Sequence, residues 1–229
     1  MSIPMHDSLR EQILKQIRSE IISGESRPGS LYSVPALAAE LDVSTTPVRE
    51  ALLELANAGL VEPIRNRGFR VSQLTVSELE DIFDMRELLE LHAARRMMAN
   101  GFQSTRELSG YADQIALAVK EDSVQDYLIA DRQFHNAMFM AAGNHVLTKS
   151  ALELRDRMRL FGIRSSAGFE RQRESVDEHY RIVELIEAGD AEQLCQTLRV
   201  HISSWKPIFS AALEAQSQGR RRQKLGLDR

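Results

Sequence analysis

The chain has 229 residues, 43% of them hydrophobic, a formal net charge of −4 and a single cysteine, Cys195. That length and apolar content suffice for two domains of about 100–200 residues or less, each with its own core, while the negative balance argues against a protein that coats nucleic acid or anionic membrane indiscriminately. One cysteine excludes an internal disulfide, MSIPMHDSLREQ lacks the charged-then-apolar layout of a secretory signal, and no apolar run approaches the roughly 20 residues of a membrane span, so the expectation is a soluble cytoplasmic chain.

Residues 7–23 carry Leu9, Ile13, Ile17 and Ile21 at four-residue spacing, a helical stripe that Gly24 ends. Residues 33–41 form a second, short helix, with Ser33 as N-cap and Pro35 in the first turn, where a missing N–H costs little. The tight connection Asp42-Val43-Ser44 leads into a third helix over 45–58, again opened by hydroxyls and a first-turn proline and ended by Gly59. Two short alternating runs, 60–65 and 68–72, flank Asn66-Arg67-Gly68 and predict a β-hairpin. These elements make up a predicted domain of residues 7–74.

Strand signals vanish after Thr75. Six helical patterns follow, at about 76–99, 104–119, 123–142, 145–163, 170–188 and 190–214, with breaks such as Gly143-Asn144, Ala167-Gly168 and Gly189-Asp190. Residues 76–214 therefore read as an all-α bundle. The segment SQGRRRQKLGLDR from Ser217 has five basic residues, one acidic residue and no apolar period, so 215–229 is expected to be a disordered basic tail. The fold class is mainly α, with a winged helix-turn-helix ahead of a helical bundle.

Three helices with a tight turn between the second and third, then a hairpin, is the layout in which the third helix enters the major groove. Ser44, Thr45 and Thr46 offer hydroxyls at that helix's start, Arg49 lies one turn in, and Arg65, Arg67 and Arg70 make the hairpin a small basic wing. Charge alone would not suggest DNA, because residues 1–75 hold 8 Lys+Arg against 9 Asp+Glu. The run LYSVPALAAELDVSTTPVREALLELANAGLVEPIRNRGFRVSQL resembles the DNA-binding domain of GntR-family transcription regulators, and the resemblance extends over residues 9–74. It implies that Ser44, Thr46, Arg49 and Gly68 contact DNA. Pro35 and Thr45 stand where many members carry arginine, which implies an altered operator sequence, since arginine to guanine is the commonest specific base contact.

In the bundle, the third helix has a predicted buried stripe of Leu128, Asp131, His135, Met138 and Ala142. The fifth has His179, Ile182, Val183 and Ile186, and the sixth has Leu194, Leu198, His201 and Trp205. Three imidazoles and a carboxylate on buried faces need partners. His179 precedes Gly189 by 10 residues and His201 follows Asp190 by 11, so in antiparallel neighbours they sit roughly 15 and 17 Å from the turn, at one level. Asp131 and His135 share a face of a third helix and complete a candidate four-ligand set for a divalent metal, zinc or nickel first, manganese or iron as alternatives. His6, His92 and His145 do not join this geometry. Arg86 falls within the stripe Leu79, Ile82, Phe83, Arg86, Leu89, Ala93, so its guanidinium points inward and requires an anion, either an internal carboxylate or a ligand. Arg157, Arg159 and Arg164 are further cavity candidates whose helical phase stays open.

The segments DMRELLELHAARRM, DRQFHNAMFMAAGNHVL, DEHYRIVELIEAGDAEQ and RVHIS resemble, in order and spacing, the FCD ligand-binding domain of FadR-like members of the GntR family. Six helices rather than seven would suit the shorter, VanR-like version. The resemblance implies a homodimer on double-stranded operator DNA, a small organic acid effector, and a carboxylate clamp at Arg86. Asn144 reads first as a helix-end cap and second as an effector-binding candidate. The expectation is a ligand-responsive repressor of metabolic genes and no enzyme. The competing readings are a metal-dependent enzyme in a helical bundle and a regulator that senses the metal itself.

Overall fold

The computed structural model describes residues 8–102, 105–158 and 162–224. The chain divides into two compact units that separate between Gln73 and Leu74.

In the first unit, α1 (Leu9–Ile22) begins with a capping box, in which the Ser8 hydroxyl accepts from the Glu11 N–H and the Glu11 carboxylate accepts from the Ser8 N–H. Its buried face is Ile13, Leu14, Ile17, Ile21 and Ile22; Leu9, expected in that stripe, is 48% exposed. β1 (Leu31–Tyr32) precedes α2 (Val34–Glu40), and Asp42, with φ +53, turns the chain into α3 (Thr45–Asn57). Val48, Ala51, Leu52 and Leu55 give α3 its buried face, and Arg10 on α1 reaches Glu54 on α3 at 2.6 Å. β2 (Val61–Ile64) and β3 (Gly68–Val71) form the expected hairpin, Val61 opposite Val71 and Ile64 opposite Gly68. The sheet has a third strand that the sequence reading missed: β1 pairs antiparallel with β3, Leu31 opposite Arg70, giving the order β1-β3-β2. Two residues are too few to show an alternating pattern, so only pairing reveals this strand. Gly68 has φ +112, and a Cβ there would run into the Tyr32 carbonyl oxygen of β1, so any side chain is excluded at this position.

The second unit contains α4 (Val76–Ala99), α5 (Thr105–Lys120), α6 (Val124–Ala141), α7 (His145–Met158), α8 (Ser166–Glu187), α9 (Ala191–Ser203) and α10 (Lys206–Lys224). Thr75 and Glu78 form a capping box at the start of α4. The core is built from Leu79, Phe83, Ala93, Met97, Leu108, Ile115, Phe134, Phe139, Ile182, Leu194, Leu198 and Phe209.

Three expectations change here. The sixth pattern, 190–214, is two helices that separate at Ser204-Trp205, with Pro207 in the first turn of α10, so the described residues hold seven bundle helices and the count that suited the shorter version does not stand. The break expected at Ala167-Gly168 lies earlier. Ser165 caps α8 by accepting from the Gly168 N–H, and Gly162, with φ +77, makes the turn. The expected disordered tail is helical through Lys224, because α10 runs past residue 214; residues 225–229 lie outside the described residues. Among the described residues, no helix is long and apolar enough to cross a membrane.

Candidate metal centre and nucleic-acid interface

Ser44 is the N-cap of α3 with φ −71 and ψ 159, and its hydroxyl makes no capping bond. Ser44, Thr45, Thr46 and Arg49 are all exposed, so the start of α3 presents free backbone N–H groups, three hydroxyls and a cation on one side. Arg65 and Arg67 are exposed on the β2–β3 turn, where Asn66 takes φ +59. A surface cleft is lined by Pro35, Arg49, Leu53, Arg65, Arg67 and Phe69, which brings the wing and α3 to one place. Among the described residues, the side chains of Arg49, Arg65 and Arg67 have no hydrogen bond or ion pair. Arg70 differs, pairing with Glu62 at 3.4 Å.

In the second unit, Asp131 and His135 on α6, His179 on α8 and His201 on α9 are all buried and offer one ligand atom each, all within 4.8 Å of one another. The imidazole centroids lie 5.5 Å (His135 to His179), 5.3 Å (His135 to His201) and 4.9 Å (His179 to His201) apart. Asp131 Oδ1 sits 3.5 Å from His179 Nε2 and 3.9 Å from His135 Nε2. The i,i+4 relation on α6 and the similar distances of His179 and His201 from the Gly189 turn explain the convergence.

The surroundings of each imidazole decide which nitrogen is available. His179 Nδ1 donates to the Ser175 carbonyl at 2.6 Å, which leaves Nε2 as a bare acceptor. His201 Nδ1 donates to Glu178 Oε2 at 2.7 Å, with the same consequence. Burial pushes the His201 imidazole down to about 4, opposed by its hydrogen bond to Glu178. Burial, reinforced by the charge of Arg155, holds His135 well below 6.5. These two rings are therefore neutral at neutral pH and keep lone pairs. His135 Nδ1 and Nε2 and His179 Nε2 are buried without a hydrogen-bond partner among the described residues. Leaving such atoms unsatisfied costs on the order of 1–3 kcal/mol each. Converging lone pairs beside a carboxylate fit a borderline divalent cation, which needs that donor set.

Behind the cluster runs a chain of buried charges. Asp131 Oδ2 accepts from Arg155 Nη2 at 2.9 Å, Arg155 Nη1 donates to Glu90 Oε2 at 2.9 Å, and Glu90 Oε1 accepts from Arg86 Nε at 2.7 Å. Burial would raise the Glu90 carboxyl, but Arg86 and Arg155 outweigh it and hold Glu90 below its ordinary range. The inward-pointing Arg86 thus has an internal carboxylate, the first of the two anions the sequence left open for it. Glu90 rather than Leu89 is the buried residue at the next turn; Leu89 is half-buried. Arg155 was missed altogether. Leu147, Ala151 and Arg155 are four apart and all buried on α7, so the stripe was there to be read. Of the other arginines, Arg157 is half-buried, Arg164 is exposed, and Arg159 lies outside the described residues.

Asn144 makes the helix-end cap that its sequence position favoured: its Oδ1 accepts from the Leu147 N–H at 3.1 Å and its carbonyl from the Thr148 hydroxyl. His92 and His145 are exposed, and His6 lies outside the described residues.

Residues 81–204 match the family described as FCD domain, and residues 9–71 match bacterial regulatory proteins, gntR family. The HTH-type transcriptional repressor GlaR of Escherichia coli (strain K12) is 25% identical over 211 residues, covering 86% of this chain and 94% of that protein. The gluconate operon transcriptional repressor of Bacillus subtilis (strain 168) is 25% identical over 193 residues, 82% of this chain and 79% of that one. The solved structure of E. coli McbR/YncC gives a TM-score of 0.79 at 23% identity, over 89% of this chain and 98% of that chain, a likeness of fold.

Proposed function

Because the chain belongs to the GntR family of bacterial regulatory proteins and carries an FCD domain, we propose that it is a cytoplasmic, homodimeric repressor of metabolic genes whose hold on operator DNA responds to a small organic acid bound beside a divalent metal. It is a DNA-binding transcription regulator and not an enzyme. The names of its relatives, two of them operon or transcriptional repressors, support the repressor reading, and the exposed hydroxyls and cations of α3 and the wing support contact with the duplex.

The observation that carries the metal reading is the set of buried histidine nitrogens without hydrogen bonds that converge on Asp131. Asp131, His135, His179 and His201 would hold the ion, and Zn²⁺ or Ni²⁺ suits three imidazoles and one carboxylate better than a hard cation does. When bound, the ion supplies positive charge and a coordination position that a carboxylate can take. Arg86 enters this reading as a positive charge fixed by Glu90, and Asn144 as a cap that positions α7.

Two half-sites read together compensate for a DNA-binding unit with so little net positive charge. The acid then needs a differential affinity of about 1–3 kcal/mol between the DNA-competent and released states. Operator binding by dialysed protein, with and without zinc and with and without a panel of small organic acids, tests this. An acid-dependent change of about 5–150-fold in the presence of zinc is the expected result. A response to zinc alone, with every acid silent, would instead favour the second reading, a regulator that senses the metal; the engagement of Arg86 by Glu90 is the observation on its side.

A further inference from the structure

The three imidazoles of the cluster have three different supports. His179 leans on a backbone carbonyl, His135 has no hydrogen bond among the described residues, and His201 alone donates to a carboxylate, Glu178 Oε2. Glu178 sits on α8 one residue before His179, and its phase turns it toward α9 rather than into the cluster. It is also gripped from the other side. Arg171, seven residues or about two turns earlier on α8, donates from Nη2 to the same Glu178 oxygen and approaches the His201 carbonyl at 3.4 Å. The Arg171 guanidinium lies over the Trp205 ring, 5.6 Å from its centroid, and Trp205 stacks on Phe209 at 5.1 Å and 12°. The Glu178 carboxylate is therefore held in place by a buried cation, itself packed against the joint of α9 and α10. Burial would raise Glu178, but His201 and Arg171 bring it down to about 2.

From this geometry we infer that Glu178, anchored by Arg171, is the positioning residue of the metal centre: it fixes His201 as the Nδ1–H tautomer and leaves Nε2 as the nitrogen free to join Asp131, His135 and His179. A carboxylate on the far nitrogen of a metal-binding imidazole both locks the ring and raises its basicity, and removing such a partner commonly lowers metal affinity by about 10–100-fold. The inference rests on the metal reading above, but its tautomer component does not need the metal.

Two measurements on the full-length protein separate the two. In long-range ¹H–¹⁵N spectra of metal-free protein, His201 is expected as a single Nδ1–H tautomer that becomes a tautomer mixture in Glu178→Ala. It is expected to survive in Glu178→Gln, whose amide oxygen accepts the same bond. In chelator competition with zinc, Glu178→Ala is expected to bind about 10–100-fold more weakly than the unaltered protein. Glu178→Gln, the variant closer in shape should Ala impair folding, falls between the two because a neutral amide raises basicity less. Zinc affinity unchanged in both variants, or an unchanged His201 tautomer in Glu178→Ala, overturns the role of Glu178 while the metal reading stands. Failure of the unaltered protein to bind zinc overturns the metal reading itself.

Discussion

The two units treat their arginines in opposite ways. In the first, Arg49, Arg65 and Arg67 project from α3 and the wing without partners among the described residues, although the unit as a whole is not basic. In the second, Arg86, Arg155 and Arg171 are almost fully buried, each against at least one carboxylate. A guanidinium left in water keeps its hydration until a phosphate or base edge replaces it, so it suits a partner that comes and goes. A guanidinium taken out of water must be paired within the fold, because uncompensated buried charge is too costly to keep. Among the buried nitrogens that the second unit leaves without a hydrogen bond among the described residues, those that can offer a lone pair are ring nitrogens of His135 and His179. One unit thus holds cations ready for an anionic polymer, and the other holds lone pairs ready for a cation.

The contrast can be broken at each end. The largest effect is expected from His179→Ala combined with His201→Ala, which removes two of four ligands and should abolish stoichiometric zinc or nickel in elemental analysis; metal content equal to that of the unaltered protein would return the cluster to a packing role. Next is Arg155→Met. It removes one of the two guanidinium partners of Glu90 and the guanidinium paired with Asp131, and denaturant unfolding of metal-free protein should show a loss of about 3–5 kcal/mol. An unchanged midpoint would mean that the buried charges are not coupled as the distances suggest. Arg49→Ala should be the mildest, weakening operator binding by about 1–3 kcal/mol while the thermal melt stays put, as expected of a side chain with no partner among the described residues. A shifted melt with unaltered operator binding would reverse the assignment of Arg49.

Much of this was legible in one dimension. Four-residue apolar spacing, hydroxyl caps and glycine stops located nine of the ten described helices and the hairpin, and the misplaced polarity of Asp131, His135, His179 and His201 picked out the cluster that the fold brings together. The misses have physical causes. β1 is too short to carry a period and exists through its bonds to β3. The bend at Ser204-Trp205 does not interrupt the apolar spacing, so α9 and α10 read as one helix. Arg155 and Glu90 were overlooked because a charged residue on an apolar stripe is plausible only once its counter-ion is known, and that counter-ion sits on another helix.

The sequence by itself determined which residues had to be inside, since periodicity sets the face a side chain occupies irrespective of what lies opposite. It also determined the shared level of His179 and His201, because helical rise and a short turn leave little freedom. The tertiary structure alone decided how those residues divide their hydrogen bonds. Arg86 faces Glu90, Arg155 spans Glu90 and Asp131, and Glu178 holds the far nitrogen of His201. Such pairings depend on distances of a few ångströms between helices far apart in the chain, and no spacing within a single helix encodes them.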